Sequence, residues 1–260
     1  MGLVVHAGAS LGAVSARGRK NMSHRSFASS SLGARALGLL VSALCALAIV
    51  GCGGPGSVSS FAREGRPGRR IAVVSLAIND YGGALQGWNS TRTGDLMASR
   101  AAQMVQIAEA ALAQRFEVVP ATAFVGSPAY QAVPHGAHEV AMPVVNGAIM
   151  PVFGMSRGEL VGASMEPSQA AALCAAAGTE YVAVIYSEWG VVTGGFVPTS
   201  KALTKTVLSI FDAQGVHVAR TRVDGRGERT LGAFGHVVVD DTTIDEWVGA
   251  YGASITRMLQ

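Results

Sequence analysis

Apolar and polar positions change period several times along the chain. In "RRIAVVSLAIND" (69–80) a β-branched, apolar run follows two arginines, the pattern of a buried strand. A Gly-rich stretch, "YGGALQGWNSTRTGD" (81–95), separates it from Met97, Ala101, Met104, Ala108 and Leu112. Steps of three or four place those residues on one stripe of a helix over about 95–115. "FEVVPATAF" (116–124) returns to a strand pattern, so strand, helix and strand read as a crossover unit.

Residues 125–165 read as an insertion. Its centre, "EVAMPVVNGAIMPVFG" (139–154), sets Asn146-Gly147 between two apolar runs, and both residues tolerate the positive φ of a type I′ hairpin turn. Pro143 and Pro151 cannot donate to a ladder, which puts this hairpin at an edge or proud of the sheet. A second helix starts at Pro167 and stops at Gly178, followed by a third, central strand, "EYVAVIYSEWGVV" (180–192). The loop "TGGFVPTSK" (193–201) leads to a second hairpin, "TVLSIFDAQGVHVARTRV" (206–223), turning at Asp212 to Gly215. In the last helix Thr243 and Glu246 have capping-box spacing, and Ile244, Trp247, Val248, Tyr251, Ile255 and Met258 form one apolar face.

The order is β-α-β-(hairpin insertion)-α-β-β-β-α. It predicts an α/β fold, a three-layer-like sandwich on a mixed sheet of about five strands. With "AAAGTEYVAVIY" and the "LSIFDAQGVHVA" hairpin, this order resembles the periplasmic domains of several bacterial lipoproteins. They include the curli-secretion lipoprotein and the lipoprotein activators of penicillin-binding proteins, whose fold is likened to the amino-terminal domain of the Tol translocation β-propeller protein. The resemblance spans 69–260 in element order and implies a domain that works by protein contacts. The chain departs from the secretion channel in one respect. Membrane-spanning strands need about 9–11 alternating residues each, and no convincing pair stands out.

Charge changes the picture at the N-terminus. Residues 1–35 hold Arg17, Arg19, Lys20, Arg25 and Arg35 and no acid, and "ALGLLVSALCALAIV" (36–50) is uncharged. A permanent span needs about 20 apolar residues, whereas a basic flank before an apolar run of about 7–15 describes a secretory signal peptide. The run ends in Ile49-Val50-Gly51-Cys52, which resembles the lipobox of bacterial lipoproteins. That resemblance implies diacylglycerol on the Cys52 thiol, cleavage between Gly51 and Cys52, and often acylation of the new amino group. Residues 1–51 are then signal peptide, with Met22 a more ordinary start. "GGPGSVSSFAREGRPG" (53–68) completes a flexible tether that begins at the lipidated Cys52, and 69–260 is a single periplasmic domain. Gly53 stands where an aspartate would resemble an inner-membrane retention signal, so the expected address is the outer membrane.

Cleavage also reverses the net charge. The full chain has 20 basic and 17 acidic residues; without the leader's five cations, 15 face 17. No nucleic-acid surface is indicated. Of three cysteines, Cys45 leaves with the leader and Cys52 is modified, which leaves Cys174 as a small core residue and no internal disulfide.

Catalytic motifs are few. The 81–95 loop precedes a helix and its amides could receive an anion, with Trp88, Asn89 and Arg92 as contacts. It lacks the Gly-Lys-Ser/Thr of a P-loop and the dinucleotide glycine fingerprint. No Gly-x-Ser-x-Gly elbow is present. His135 and His138 stand beside Glu139, but zinc sites use three or four ligands, so neither metal nor cofactor is expected. Glu188 ends the central strand, where a crevice can form, while its neighbour Trp189 is expected to pack on the last helix. Phe196 and Lys201, with Val145 and Ile149 of the hairpin, complete a candidate partner surface. The leading expectation is a non-enzymatic, lipid-anchored envelope protein that binds a protein partner. The alternatives are a small-ligand binder or envelope enzyme using loop 81–95 and Glu188, and a subunit of an oligomeric secretion assembly.

Overall fold

The computed structural model describes Phe61, 64–80, Leu85, 93–233 and 237–260. The expected signal peptide, 1–51, and Cys52 lie outside the described residues, as do Trp88, Asn89 and Arg92.

In strand β1 (Arg70–Asp80) every side chain from Ile71 to Ile78 is buried. Helix α1 (Thr93–Leu112) follows and buries Met97, Ala101, Met104, Ala108 and Leu112, the stripe that the three-and-four spacing predicts. Strand β2 is only Glu117–Val118, parallel to the start of β1. The expected longer strand stops because Pro120 cannot donate to a ladder, and a 3-10 turn, Ala121–Ala123, takes over. The amide of Ala121 is satisfied by Glu109 Oε1 of α1 at 2.6 Å.

The insertion is more helical than its sequence suggests. It contains α2 (Pro128–Gln131), the hairpin β3 (Val144–Val145) and β4 (Ala148–Ile149), and α3 (Arg157–Gly162). The turn is as expected, with Asn146 at φ 50° and Gly147 at φ 80°. The insertion covers the exposed edge of β1. Buried Tyr130 donates its hydroxyl to the Val74 carbonyl at 2.6 Å, where the β1–β5 register slips, and Ser75 Oγ donates to the Pro151 carbonyl. Near the end of β1, Ile78 and Ala141 exchange backbone hydrogen bonds at 2.9 Å.

Helix α4 (Pro167–Ala177) starts at Pro167 and ends at Gly178, φ 64°. Three strands complete the sheet: β5 (Tyr181–Gly194) parallel to β1, then β6 (Thr199–Asp212) and β7 (His217–Arg226), each antiparallel to its predecessor. The order is β2-β1-β5-β6-β7, with β8 (Gly232–Ala233) pairing the start of β6. The loop expected at 193–201 is shorter: β5 and β6 pair out to Gly194 and Thr199, so Lys201 belongs to a strand. Thr193 Oγ1 and Ser200 Oγ, 2.9 Å apart, extend the ladder through residues that look like loop in sequence.

Helix α5 (Asp245–Leu259) packs with α1 on one face of the sheet, and α4 and the insertion cover the other. Trp247 and Trp189 are fully buried and stacked, ring centroids 6.3 Å apart. The expected Thr243–Glu246 capping box does not form. Asp240 caps the lead-in turn instead, its Oδ1 accepting from the Thr242 and Thr243 amides, while Glu246 accepts from the Arg229 amide. A reciprocal box does form at α3, between Ser156 and Glu159. The segment before β1 is also partly docked: the Phe61 ring lies 5.1 Å from that of Tyr181, and the Arg66 amide donates to Arg115. The expected tether, 52–68, is thus docked at its domain end by an aromatic ring that reaches apolar partners.

Candidate functional site

A polar chain of side chains links the carboxyl end of β1 to the middle of β5, which runs on to Gly194 rather than ending at Glu188 as its sequence suggests. Asn79 and Glu188 are register partners. Asn79 Nδ2 donates to the Tyr186 hydroxyl at 3.2 Å, and that hydroxyl donates to Glu188 Oε1 at 2.9 Å. Tyr186 and Trp189 are three residues apart on one strand and therefore project from opposite faces. The tryptophan enters the core under α5, while the tyrosine faces the insertion. Burial first, and the neighbouring Glu188 carboxylate as well, push the Tyr186 phenol up to about 12 against the opposing Asn79 hydrogen bond. It is a neutral hydrogen-bonding group at physiological pH.

Segment 135–142 runs beside this chain and separates three adjoining clefts. One, about 310 Å³, lies between that segment and α3 and is lined by Asn79, His138, Glu139, Arg157 and Tyr186 among others. Two more, about 510 and 520 Å³, reach the hairpin and share Glu139, Met142 and Ile149. His138 Nε2 donates to the Gly154 carbonyl at 2.6 Å, which fixes the ring as part of the cleft wall. Among the described residues no group of three His, Cys, Asp or Glu side chains converges as a metal site would require. The arrangement offers hydrogen-bond donors and acceptors, a guanidinium and apolar walls, which suit binding.

The hairpin rises at the edge of the wider clefts. Val144 and Ile149 are register partners and are 55% and 53% exposed. Val145 is buried at 8%, which corrects its assignment to a partner surface. In a two-residue hairpin strand consecutive side chains alternate, so only one of Val144 and Val145 can face outward. Ile149 lines the two wider clefts and Asn79 and Tyr186 line the smallest, whereas Glu188 lines none of the three and reaches them only through the Tyr186 hydroxyl. Phe196 is elsewhere, fully exposed with Val197 at the tip of the β5–β6 ribbon. Lys201 sits lower on that ribbon and donates to the Glu228 carbonyl at 2.7 Å. Sequence reasoning missed Asn79, Tyr186 and Arg157. The near-continuous apolar runs of β1 and β5 hide which face each polar residue takes, and Arg157 comes near only when α3 folds over the sheet.

No family model matches the chain, and no curated protein matches it. Three of the similar solved structures each have a TM-score of 0.30. The hypothetical protein CT253 from Chlamydia trachomatis is 11% identical, with 73% of this chain and 99% of that one covered. The PelC dodecamer from Paraburkholderia phytofirmans is 14% identical over 80% and 92%, and lipoprotein GNA1162 from Neisseria meningitidis is 13% identical over 71% and 94%.

Proposed function

We propose that the chain is a bacterial envelope lipoprotein, cut before Cys52, lipidated there and held at the periplasmic face of the outer membrane, whose α/β domain binds a protein partner. The observation that carries this reading is the junction at 47–56. An uncharged run too short for a stable span ends in Ile49-Val50-Gly51-Cys52 and passes at once into glycine, proline and serine. The exposed Val144–Ile149 pair supports the binding role, since side chains on a projecting hairpin offer apolar area without disturbing the core. Two or three acyl chains hold a protein on a bilayer, whereas none leaves it soluble. Cys52→Ser should therefore release the domain into the soluble periplasm, read by fractionation of cells. A Cys52→Ser protein that still floats with membranes removes the anchor. Replacing Ile149 and Val144 by Ser should weaken in-cell crosslinks to the partner while the domain stays folded.

One observation favours a second reading, a small-ligand binder in which Glu188 acts only by holding the Tyr186 hydroxyl. The cleft beside the Asn79–Tyr186–Glu188 chain has about the smallest volume usual for ligand pockets, and several polar groups face it. Native mass spectrometry of protein purified from cells separates the two readings, because a retained small molecule adds mass and a protein partner adds a chain.

A further inference from the structure

The segment ahead of β1 is held by several contacts. The Phe61 ring lies 5.1 Å from the Tyr181 ring and 6.1 Å from that of Phe116, and the Arg66 guanidinium sits over it at 4.7 Å. The Gly65 amide donates to the Phe61 carbonyl, and the Arg66 amide to the Arg115 carbonyl. Gly65 has φ 65°, and a Cβ there would lie 2.8 Å from the Arg115 carbonyl oxygen, so the segment presses on the turn after α1. All of these partners stand at one end of the sheet. Tyr181 opens β5, and Arg115 and Phe116 immediately precede β2. The register partner of Tyr181 is Asp212, the last residue of β6, so the turn with the exposed Val216 lies at this end too. In the other direction β5 runs for 14 residues to Gly194, where the β5–β6 ribbon turns through the fully exposed Phe196 and through Val197, 57% exposed. At about 3.3 Å per residue the two ends of β5 stand roughly 43 Å apart.

We infer that the docked Phe61 stands the domain with its Tyr181 end toward the bilayer and presents the Phe196–Val197 tip to an apolar pocket of a protein in the periplasm. This rests on the lipid-anchor and protein-binding readings above and adds the surface the partner meets and the side from which it comes. The length of chain between the lipid and the fold carries it. From a lipidated Cys52 to Phe61 there are nine steps, at most about 32 Å when fully extended. For the ribbon to point at the bilayer, Phe61 would have to stand roughly 43 Å or more from it, beyond that reach. The opposite orientation needs no such span. Without the Phe61 contacts the free chain would run from Cys52 to Arg69, 17 steps or up to about 61 Å, and either end could face the lipid. The aromatic cluster therefore decides which end is presented. It removes the bilayer as the occupant of an upright tip, and copies anchored side by side point their tips the same way rather than at each other. A buried aromatic anchor is what a protein pocket takes up, and Phe196 is placed to supply one.

The test uses the full lipidated chain in phospholipid vesicles that carry an acceptor-labelled lipid. A donor dye is attached at position 196 or 216 through an azidophenylalanine, which leaves Cys52 to its lipid and Cys174 in the core. Energy transfer to the labelled lipid should be several-fold stronger from position 216 than from position 196. Phe61→Ala should raise transfer from position 196 and narrow that difference. Equal transfer from the two positions, as a domain lying flat would give, overturns the inference, and so does a Phe61→Ala protein that keeps the wild-type difference. Flotation of the same vesicles keeps the two levels apart. Protein that stays unbound removes the anchor itself, whereas bound protein with equal transfer removes only the orientation. In cells, a photocrosslinker at position 196 should capture a protein that one at position 216 does not. Capture at position 196 of phospholipid, of a second copy or of nothing overturns the role of the tip, as does the same protein captured from both positions.

Discussion

Trp247→Ala is the sharpest probe of the fold that presents these surfaces. Trp247 is fully buried on α5, stacks on Trp189 at an interplanar angle of 20°, and donates its indole N–H to the Gly190 carbonyl at 2.7 Å. It therefore ties the last helix to the strand that carries Tyr186 and Glu188 on its other face. Truncating a buried tryptophan costs about 3–5 kcal/mol in transfer and cavity terms. Against a total stability of about 5–15 kcal/mol, that is a large share. For a domain of about 150–250 residues each kcal/mol moves the Tm by roughly 2–4 °C, so the expected fall is roughly 6–20 °C. Trp247→Phe separates the parts. It keeps most of the apolar volume and loses the N–H, leaving the Gly190 carbonyl unpaired, and should cost about 1–3 kcal/mol. Thermal melts and urea titrations of both variants read these values. If Trp247→Ala lowers the Tm by less than about 3 °C, α5 is peripheral to the stability of the sheet and the packing described above is wrong.

Three further outcomes follow from burial and hydrogen bonding. Val145→Ser should destabilise by about 1–3 kcal/mol, because it removes buried apolar area and buries a hydroxyl, while Val144→Ser on the exposed side of the same strand should stay within about 0.5 kcal/mol; chemical denaturation compares them. Cys174 is buried, and burial pushes its thiol up to about 12, so in the Cys52→Ser protein native Cys174 should resist alkylation at about pH 8 and react once urea unfolds the chain. The Ser156 and Met155 amides hold the Glu159 carboxyl below its ordinary range, so the stability it contributes is complete above about pH 4.3 and is lost as pH falls through the lowered value. Glu159→Ala should flatten that part of the acid limb in a series of melts.

Much of the fold is legible in sequence because each element carries its own period and punctuation. The α1 stripe, Asn146-Gly147, Pro167 and Gly178, and the apolar face of α5 are local signals, and the structure realises each of them. The proposed anchor at Cys52 is equally local: it rests on the length of one apolar run, its basic flank and four residues at its end. Local pattern misleads where two interactions compete for one group. Thr243 and Glu246 have the spacing of a capping box, yet Asp240 caps the turn and Glu246 turns to the Arg229 amide. Residues 193–201 have loop composition, yet pairing with β5 continues to Thr199 because cross-strand hydrogen bonds outweigh the low strand preference of glycine and lysine.

The candidate surfaces were decided at a longer range. A near-continuous apolar strand conceals which face each polar residue takes, so only the β1–β5 register brings Asn79 to Tyr186 and Glu188, and only the fold of the insertion brings Arg157 and His138 above them. The arginines along "HVARTRV" are plain in the sequence, but their place at an edge depends on β7 being last in the sheet among the described residues. Had another strand followed it, those arginines would face a neighbour already in the chain. Side-chain period is a property of the local backbone and can be read one residue at a time. Which edge stays open is a property of the whole sheet, and it exists only once all its strands have been ordered.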